Sequence, residues 1–238
     1  MPGLYRDECV VLKTIKLGEA DRIVTVYTRL HGKVRAVAKG VRRTKSRFGG
    51  RLEPFTHLDL MLYRGRELDT VTQVHVLEPF RVLREDLARL TGAAAIAELI
   101  DKVAPDNERS QPLYALLLDG LRALAARPPA TVIPAFMVKV LSLSGYHPQL
   151  SACAACGATS GFGGFSAASG GAVCEDCRRE DNTSVRVPFD RIALMARLLR
   201  NGFGEQADPE AAGDVTRLLK AYAEYHLERP LRSLALLQ

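Results

Sequence analysis

The sequence predicts a multi-part α+β protein, in which an N-terminal five-stranded OB-fold β-barrel precedes an all-α helical domain with an inserted four-cysteine knuckle. Three observations predict this class. Residues 5–79 alternate with period two between turn signals, the chain after Pro79 follows helical periodicity, and two C-x-x-C pairs interrupt the helical part. We therefore expect a barrel domain at 1–79 and a helical domain at 80–238, with the insert at about 151–179.

Five short segments of the barrel region have the alternation of antiparallel strands. They are 8–16, 22–28, 33–39, 56–63 and 68–77. The first places Val10 and Leu12 on one face. In the third, apolar residues alternate with Lys33 and Arg35, so these two cations are expected to face outward. Five such strands in about 75 residues fit a small closed barrel of the OB type.

The helical part has six segments with an apolar stripe at helical spacing. They are 81–90, 93–103, 112–126, 133–143, 189–200 and 209–228. Pro105 and Pro128-Pro129 separate some of them. Stripes of leucine and alanine are typical of core packing. We therefore expect a helical bundle, with the cysteine-rich segment as an outgrowth between the fourth and fifth helices.

The positive charge of the chain is concentrated in the barrel region. The net charge of +6 arises entirely within residues 1–79, and the remainder is neutral. The stretch 22–52 holds ten basic residues and no acidic one. A charge run is often only a solvated face, but this one is long and uncompensated, which favours a polyanionic partner.

A basic loop follows the third predicted strand, and its glycines predict mobility. Cations on this strand and loop are suited to follow a phosphate backbone, and arginine can also stack on bases. Phe48 lies within the run, where packing is favoured over base stacking. The candidate nucleic-acid contacts are Lys33, Arg35, Lys39, Arg42, Arg43, Lys45, Arg47 and Arg51.

The four cysteines of the insert have the spacing of a metal knuckle. Cys153 and Cys156 are separated by 17 residues from Cys174 and Cys177. Each C-x-x-C turn supplies two sulfurs, and four sulfurs at tetrahedral corners suit Zn²⁺. A redox dithiol or disulfides would not explain two matched pairs in an intracellular chain. Four cysteines leave no open position, so we expect a structural zinc site, while the isolated Cys9 is expected to be a small buried hydrophobe.

Other function classes find no support in the sequence. The first residues lack the apolar core of a secretory signal, and no apolar run reaches the roughly 18 residues of a membrane span. We therefore expect an intracellular, cytoplasmic protein. The five histidines are scattered, and Glu19 and Asp21 are expected to be solvated charges of a turn. No catalytic constellation is found, so we predict that the chain is not an enzyme.

Specific motifs occur along nearly the whole chain. They are LGEADRIV at 17–24, HGK at 31–33, AKGVRR at 38–43, KSR at 45–47, EPF at 53–55, GYHP at 145–148 and HLERPLRS at 226–233. The parts follow in the order of a basic OB barrel, a helical domain and cysteine pairs inserted late. In these motifs and in this order the chain resembles the bacterial RecO family of recombination-mediator proteins.

The resemblance implies a function in DNA repair and recombination after DNA damage. Members of the family bind single- and double-stranded DNA, anneal complementary strands and act in the RecF pathway. With RecR they help RecA to load onto DNA coated by single-stranded-DNA-binding protein, whose acidic C-terminal tail would bind the helical domain. The eight cations above would contact DNA, and the protein would be associated with the nucleoid. Some members lack the cysteine pairs, so zinc is expected to support folding.

Three rival interpretations remain open at this point. A zinc-containing OB-fold module could bind RNA, because such folds also serve RNA. A zinc hydrolase would need a histidine or carboxylate in place of one cysteine to open a coordination position. A structural adaptor does not explain a charge excess confined to one domain.

Overall fold

The computed structural model describes residues 3–43, 46 and 48–234. The predicted contacts Lys45 and Arg47 lie outside the described residues. The chain forms two compact units, Met1–Ala125 and Ala126–Gln238. The first unit therefore extends past the end of the predicted barrel domain at residue 79, and the boundary at that residue stays a prediction.

The first unit contains a closed five-stranded barrel with the strand order β1-β2-β3-β5-β4. The strands are β1 (Leu4–Leu17), β2 (Asp21–Thr28), β3 (Gly32–Ala38), β4 (His57–Tyr63) and β5 (Asp69–Glu78). Neighbouring strands are antiparallel except β3 and β5, which pair in parallel through Ala36 and Asp69. All five predicted strands are confirmed, as is the barrel that they were expected to form.

The barrel interior is filled by small and branched side chains, and two of them come from the inward face of β1. Cys9 and Val11 lie in this interior cluster and are fully buried. Val10 and Leu12, on the opposite face of β1, are buried as well, because a helix packs against that strand. Burial of Cys9 as a small hydrophobe is thereby confirmed.

Three helices complete the first unit: α1 (Val82–Glu85), α2 (Leu87–Val103) and α3 (Gln111–Ala126). The predicted division of this segment into helices at 81–90 and 93–103 is wrong, because the break between the two helices lies elsewhere. Asp86 takes an extended conformation, and its side chain accepts a hydrogen bond from the Arg89 N–H, so the break falls there. No breaker of comparable strength lies between residues 90 and 93, and α2, which covers β1, continues through them.

A polar network joins β5 to α3. Arg122 donates two hydrogen bonds to the Glu78 carboxylate. The buried His57 lies 3.0 Å from Glu78 through Nδ1 and 3.0 Å from the Tyr114 hydroxyl through Nε2. The Arg122 hydrogen bonds lower the pKa of Glu78, although partial burial opposes the shift.

Replacing Glu78 by glutamine is expected to destabilise the protein at pH 7 and much less in acid. The folded-state pKa of Glu78 is lower than its ordinary value of 4.5. The contribution of the Glu78 carboxylate to the free energy of unfolding is therefore present above the unfolded-state pKa. It is lost as the pH falls through the folded-state pKa. Urea unfolding at neutral pH and near pH 3 measures this difference. Glu19→Gln, on an exposed turn, is the control, and an equal loss at both pH values would contradict the prediction.

The second unit consists of three longer helices and the cysteine insert. The helices are α4 (Pro129–Leu143), α6 (Phe189–Arg200) and α7 (Pro209–Leu227), and α4 packs against both of the others. Helix α4 begins four residues before the predicted start at Ile133 and contains Pro134, which lacks the N–H that would donate to the Ala130 carbonyl. The other two helices agree with the predicted segments.

The insert is not purely helical. It forms a three-stranded sheet in the order β7-β6-β8, from β6 (Phe162–Ser166), β7 (Gly171–Cys174) and β8 (Val185–Arg186). A short helix, α5 (Glu175–Glu180), follows β7. Gly163 and Gly164 of β6 lie where a Cβ would collide with Glu175 and with the Val185 carbonyl, so the close packing around this strand requires glycine at both positions.

Among the residues that the structure describes, no helix has the length and apolar character of a membrane span.

Candidate nucleic-acid interface and metal centre

The basic loop begins at the C-terminal end of β3 and is fastened to the barrel at both ends. The Gly40 N–H donates to the Asp21 carboxylate at 2.7 Å, and the Arg42 N–H donates to the Ala20 carbonyl at 2.9 Å. In addition to these hydrogen bonds, the side chains of Val41, Phe48 and Leu52 are buried in the barrel interior. These described residues of the loop are thus anchored to the barrel, and Asp21 is a structural acceptor instead of a solvated charge.

Five of the eight predicted contacts are exposed. Arg35 lies on β3, Lys39, Arg42 and Arg43 lie just after it, and Arg51 lies in the short 3₁₀ turn Gly49–Leu52. Arg42 donates one hydrogen bond to the Gly18 carbonyl at 3.2 Å. Within the described part of the chain, none of the five is recorded in an ion pair. Their charge is therefore available to an anionic ligand.

Lys33 differs from the other predicted contacts. Its side chain is 13% exposed and its Nζ lies 3.2 Å from the Asp106 carboxylate. The same ammonium donates to the Asp101 carbonyl at 2.7 Å. The expectation that Lys33 faces outward from β3 into a groove does not hold, because these contacts turn its charge toward α2 and the loop that follows α2.

Changing Lys33 to glutamine is expected to cost about 2 kcal/mol of unfolding free energy, because a largely buried charged hydrogen bond is lost. Lys39→Gln, on an exposed side chain, is expected to weaken DNA binding without a measurable change in stability. Chemical denaturation and a DNA titration on both variants separate the two roles. A Lys33 variant with full stability and weakened binding would contradict this assignment.

Phe48 packs in the barrel interior with 3% of its surface exposed. Packing of this side chain, which the sequence favoured over base stacking, is confirmed. Tyr27 is fully buried, while Tyr63 is 45% exposed. The loop therefore offers cations to a ligand and keeps its aromatic ring inside.

The four cysteines of the insert come together. Their Sγ atoms all lie within 4.8 Å of one another, and Cys156 and Cys174 are 3.8 Å apart. Four sulfurs at about 2.3 Å from a tetrahedral Zn²⁺ would be separated by about 3.8 Å. This donor set and spacing fit a closed tetrahedral metal site, and the grouping predicted from the sequence is confirmed.

Backbone N–H groups favour the thiolate form of Cys153. Burial raises the pKa of the Cys153 thiol, but N–H groups of Cys156, Cys174 and Ala155 outweigh it and lower that pKa to about 6. Gly157 follows the first pair with φ +80°, as its place after the knuckle turn predicts. The two knuckles are joined by the Ala154 N–H, which donates to the Ala172 carbonyl of β7.

Four of the five histidines have structural contacts in the described structure, apart from the metal cluster. His31 contacts Asp7, His57 belongs to the Glu78 network, and His147 contacts Ser142. His226 packs among tyrosines, including Tyr222 at a ring distance of 4.3 Å.

The predicted nucleic-acid contacts did not include Arg64, Arg66 or Arg109. All three are exposed and line a polar cleft on the side of the barrel, together with Arg35. Their separation by more than forty residues concealed the grouping. A local run of charge was visible in the sequence, whereas a cluster assembled from distant loops was not.

A closed OB-type barrel with exposed cations, followed by helices that contain a four-cysteine cluster, defines a class of basic OB-fold proteins with a metal knuckle. Family models agree with this class. Residues 1–80 match "Recombination protein O N terminal" and residues 84–235 match "Recombination protein O C terminal". The chain therefore belongs to the RecO family of DNA repair proteins.

Curated relatives match along nearly their whole length. Proteins named DNA repair protein RecO from Nocardioides sp. and Thermobifida fusca are each 46% identical to this chain. The protein of that name from Frankia casuarinae is 45% identical. The alignments cover 98–99% of this chain and of each relative. The resemblance inferred from the sequence motifs is thus confirmed.

Proposed function

We propose that the protein is a recombination mediator of DNA repair, which binds single- and double-stranded DNA and anneals complementary strands. It acts with RecR to help RecA load onto DNA coated by single-stranded-DNA-binding protein. The observation that carries this proposal is the set of five exposed, unneutralised cations on the barrel of a RecO-family chain. They are Arg35, Lys39, Arg42, Arg43 and Arg51.

Charge neutralisation explains how such a surface promotes annealing. Complementary strands repel each other through their phosphates, and bound cations remove part of that repulsion. Contacts with phosphates hold a strand without reading its sequence, which suits a protein that acts on any gap or break. The step needs no nucleotide hydrolysis and no covalent chemistry, so we assign the protein a non-enzymatic role.

The cysteine cluster would hold a structural Zn²⁺ through Cys153, Cys156, Cys174 and Cys177. A bound ion would supply cross-links between the two knuckle turns, which flank the β6–β7 hairpin in sequence and meet at its open end, where Phe162 pairs with Cys174. With four protein ligands it has no open position for water or substrate. Its role is therefore to fold the insert of the second unit.

The remaining parts of the proposal come from the family. The acidic C-terminal tail of single-stranded-DNA-binding protein is assigned to the helical part, and RecR is a further partner. The protein would act in the cytoplasm, in association with the nucleoid. The barrel domain proposed at residues 1–79 would supply the DNA contacts.

Annealing of complementary oligonucleotides coated with single-stranded-DNA-binding protein tests the proposal. The native chain is expected to accelerate annealing, and a variant with Arg42, Arg43, Lys45 and Arg47 changed to glutamate is expected to fail. The control is Arg81, Arg127, Arg200 and Arg229 changed to glutamate, which makes the same charge change at exposed positions away from the loop. Tight binding of RNA by a native chain that does not anneal DNA would favour the RNA-binding module instead.

A further inference from the structure

A polar cleft of about 550 Å³ lies on the side of the barrel, within the first unit. Its cationic lining comes from three places: Arg35 on β3, Arg64 and Arg66 in the β4–β5 turn, and Arg109 in the loop between α2 and α3. All four guanidinium side chains belong to exposed residues. Three chain segments that are distant in sequence thus direct positive charge into one cleft.

Strand register separates this cleft from the basic loop. Asp69, the first residue of β5, pairs with Ala36 in parallel, so the β4–β5 turn lies beside the Gly32 end of β3. The basic loop leaves the other end of β3, after Ala38. A rise of about 3.3 Å per residue places Arg35 roughly 17 Å along the chain from Gly40. The cleft therefore extends from the middle of β3 toward its Gly32 end, whereas the basic loop leaves the Ala38 end.

The cleft is formed by a close approach of two backbone segments, the α2–α3 loop and β3. Gly32 has φ +69°, and a Cβ there would lie 2.0 Å from the Glu108 carbonyl oxygen, so only glycine permits the α2–α3 loop to approach β3 so closely. The Asn107 N–H donates to the Lys33 carbonyl at 3.0 Å and fixes the same approach. Arg109 is held near the barrel by these two contacts.

The acidic residues in the cleft differ in their contacts. Asp106 pairs with Lys33, and Asp69 accepts hydrogen bonds from the Tyr5 hydroxyl and the Gly65 N–H. Asp69 keeps its negative charge because both of its donors are neutral, and neither Asp69 nor Glu67 forms an ion pair within the described part of the chain. The four arginines therefore exceed the acidic charge left to oppose them, and the cleft favours an anion.

Planar groups line the same cleft. The rings of Tyr5 and His31 are 4.5 Å apart, and the Arg64 guanidinium lies 5.2 Å from the centre of the Tyr5 ring. Asp7, whose side chain is 1% exposed, fixes His31 through a 2.7 Å contact with Nδ1. Arginine and aromatic planes beside cations are typical of grooves for single-stranded nucleic acid, whereas an acidic peptide would need only the cations.

From this arrangement we infer that the cleft is a second binding site for a single nucleic-acid strand, separate from the basic loop. The inference rests on the proposed function, which it extends. One strand lies along Arg42, Arg43 and Arg51, and the other lies against Arg35, Arg64, Arg66 and Arg109. A chain that holds both strands at once raises their local concentration and neutralises each, as annealing requires.

Counting the strands bound per chain tests this inference. The probe is a thymidine homopolymer of about six nucleotides, near the lower site size of one OB fold. Native mass spectrometry at saturation is performed on the native chain and on three variants of equal charge change. These are a cleft variant (R64E/R66E/R109E), a loop variant (R42E/R43E/R51E) and a control variant (R81E/R200E/R229E) at exposed sites outside both surfaces.

We expect about two strands on the native chain and the control variant, and about one on the cleft and loop variants. A native chain that binds one strand, lost in the loop variant alone, overturns the inference and leaves the proposed function standing. A cleft variant that binds no strand overturns it as well, because the two surfaces would then form one site. A native chain that binds none overturns the proposed function itself.

Two further measurements distinguish loss of binding from loss of folding, and a nucleic-acid ligand from an acidic peptide. Thermal melting checks that each variant is folded, and the neutral variant R64Q/R66Q/R109Q replaces the cleft variant if that one unfolds. A hexaglutamate peptide is offered in place of the second strand. Cleft-dependent binding of the peptide together with cleft-independent binding of thymidine strands would assign the cleft to an acidic protein partner and overturn the inference.

Discussion

Replacing Arg42, Arg43 and Arg51 by glutamine is expected to weaken single-strand binding roughly 50-fold at about 0.15 M salt. Each phosphate contact on a single strand contributes about 0.7 to the slope of log affinity against log salt, so three lost contacts flatten the slope by about 2. All three side chains are exposed. The structural cost is limited to the hydrogen bond from Arg42 to the Gly18 carbonyl.

Fluorescence anisotropy of a labelled thymidine homopolymer over a range of salt concentrations measures both quantities. The matched control changes Arg81, Arg200 and Arg229 to glutamine, which removes the same charge from exposed positions outside the loop. We expect the control to keep nearly the native slope. Equal losses in the two variants would mean that net charge alone attracts DNA and that the loop is not a site.

Changing Cys174 to alanine is expected to abolish metal binding and to unfold the insert. Bound zinc should fall from about one ion per chain to near zero, because three sulfurs no longer close a tetrahedral site. Metal binding to four cysteines stabilises small domains by about 10 kcal/mol or more. The apolar cluster described around the four sulfurs is small, with Val173 packed against Cys153 and Cys174, and it replaces little of that stabilisation.

Elemental analysis and circular dichroism melting measure the two effects. Cys9→Ala is the control, since it removes another buried cysteine from the barrel interior and should leave the zinc content unchanged. Addition of a strong chelator to the native chain should reproduce the unfolding of the Cys174 variant. Full metal content in that variant would contradict the assignment of the four sulfurs as ligands.

Local pattern was sufficient for most of the secondary structure and for the metal cluster. The alternation of Val24, Val26, Val34 and Ala36 specified strands, since one face of a small barrel must be apolar. Two C-x-x-C pairs specified a metal site because each pair fixes two sulfurs within one turn, and the structure joins the turns through the β6–β7 hairpin. Both signals are confined to a few residues.

Contacts between residues that are far apart in the sequence could not be predicted from local pattern. Lys33 and Arg35 are equivalent in the strand pattern, yet only Lys33 meets Asp101 and Asp106. Asp86 breaks the predicted first helix because its extended backbone and side-chain cap begin a new one. Asp21, an ordinary turn residue in the sequence, supports the basic loop through Gly40.

The sequence by itself determined the barrel, the basic loop, the cysteine cluster and the family, because each rests on periodicity, spacing or motifs along the chain. The tertiary structure alone decided which cations remain exposed and that Arg64, Arg66 and Arg109 line one cleft with Arg35. Whether a charged side chain is exposed or paired depends on its neighbours in space. Strand register and the close approach at Gly32 select those neighbours, and neither is written in a local stretch of residues.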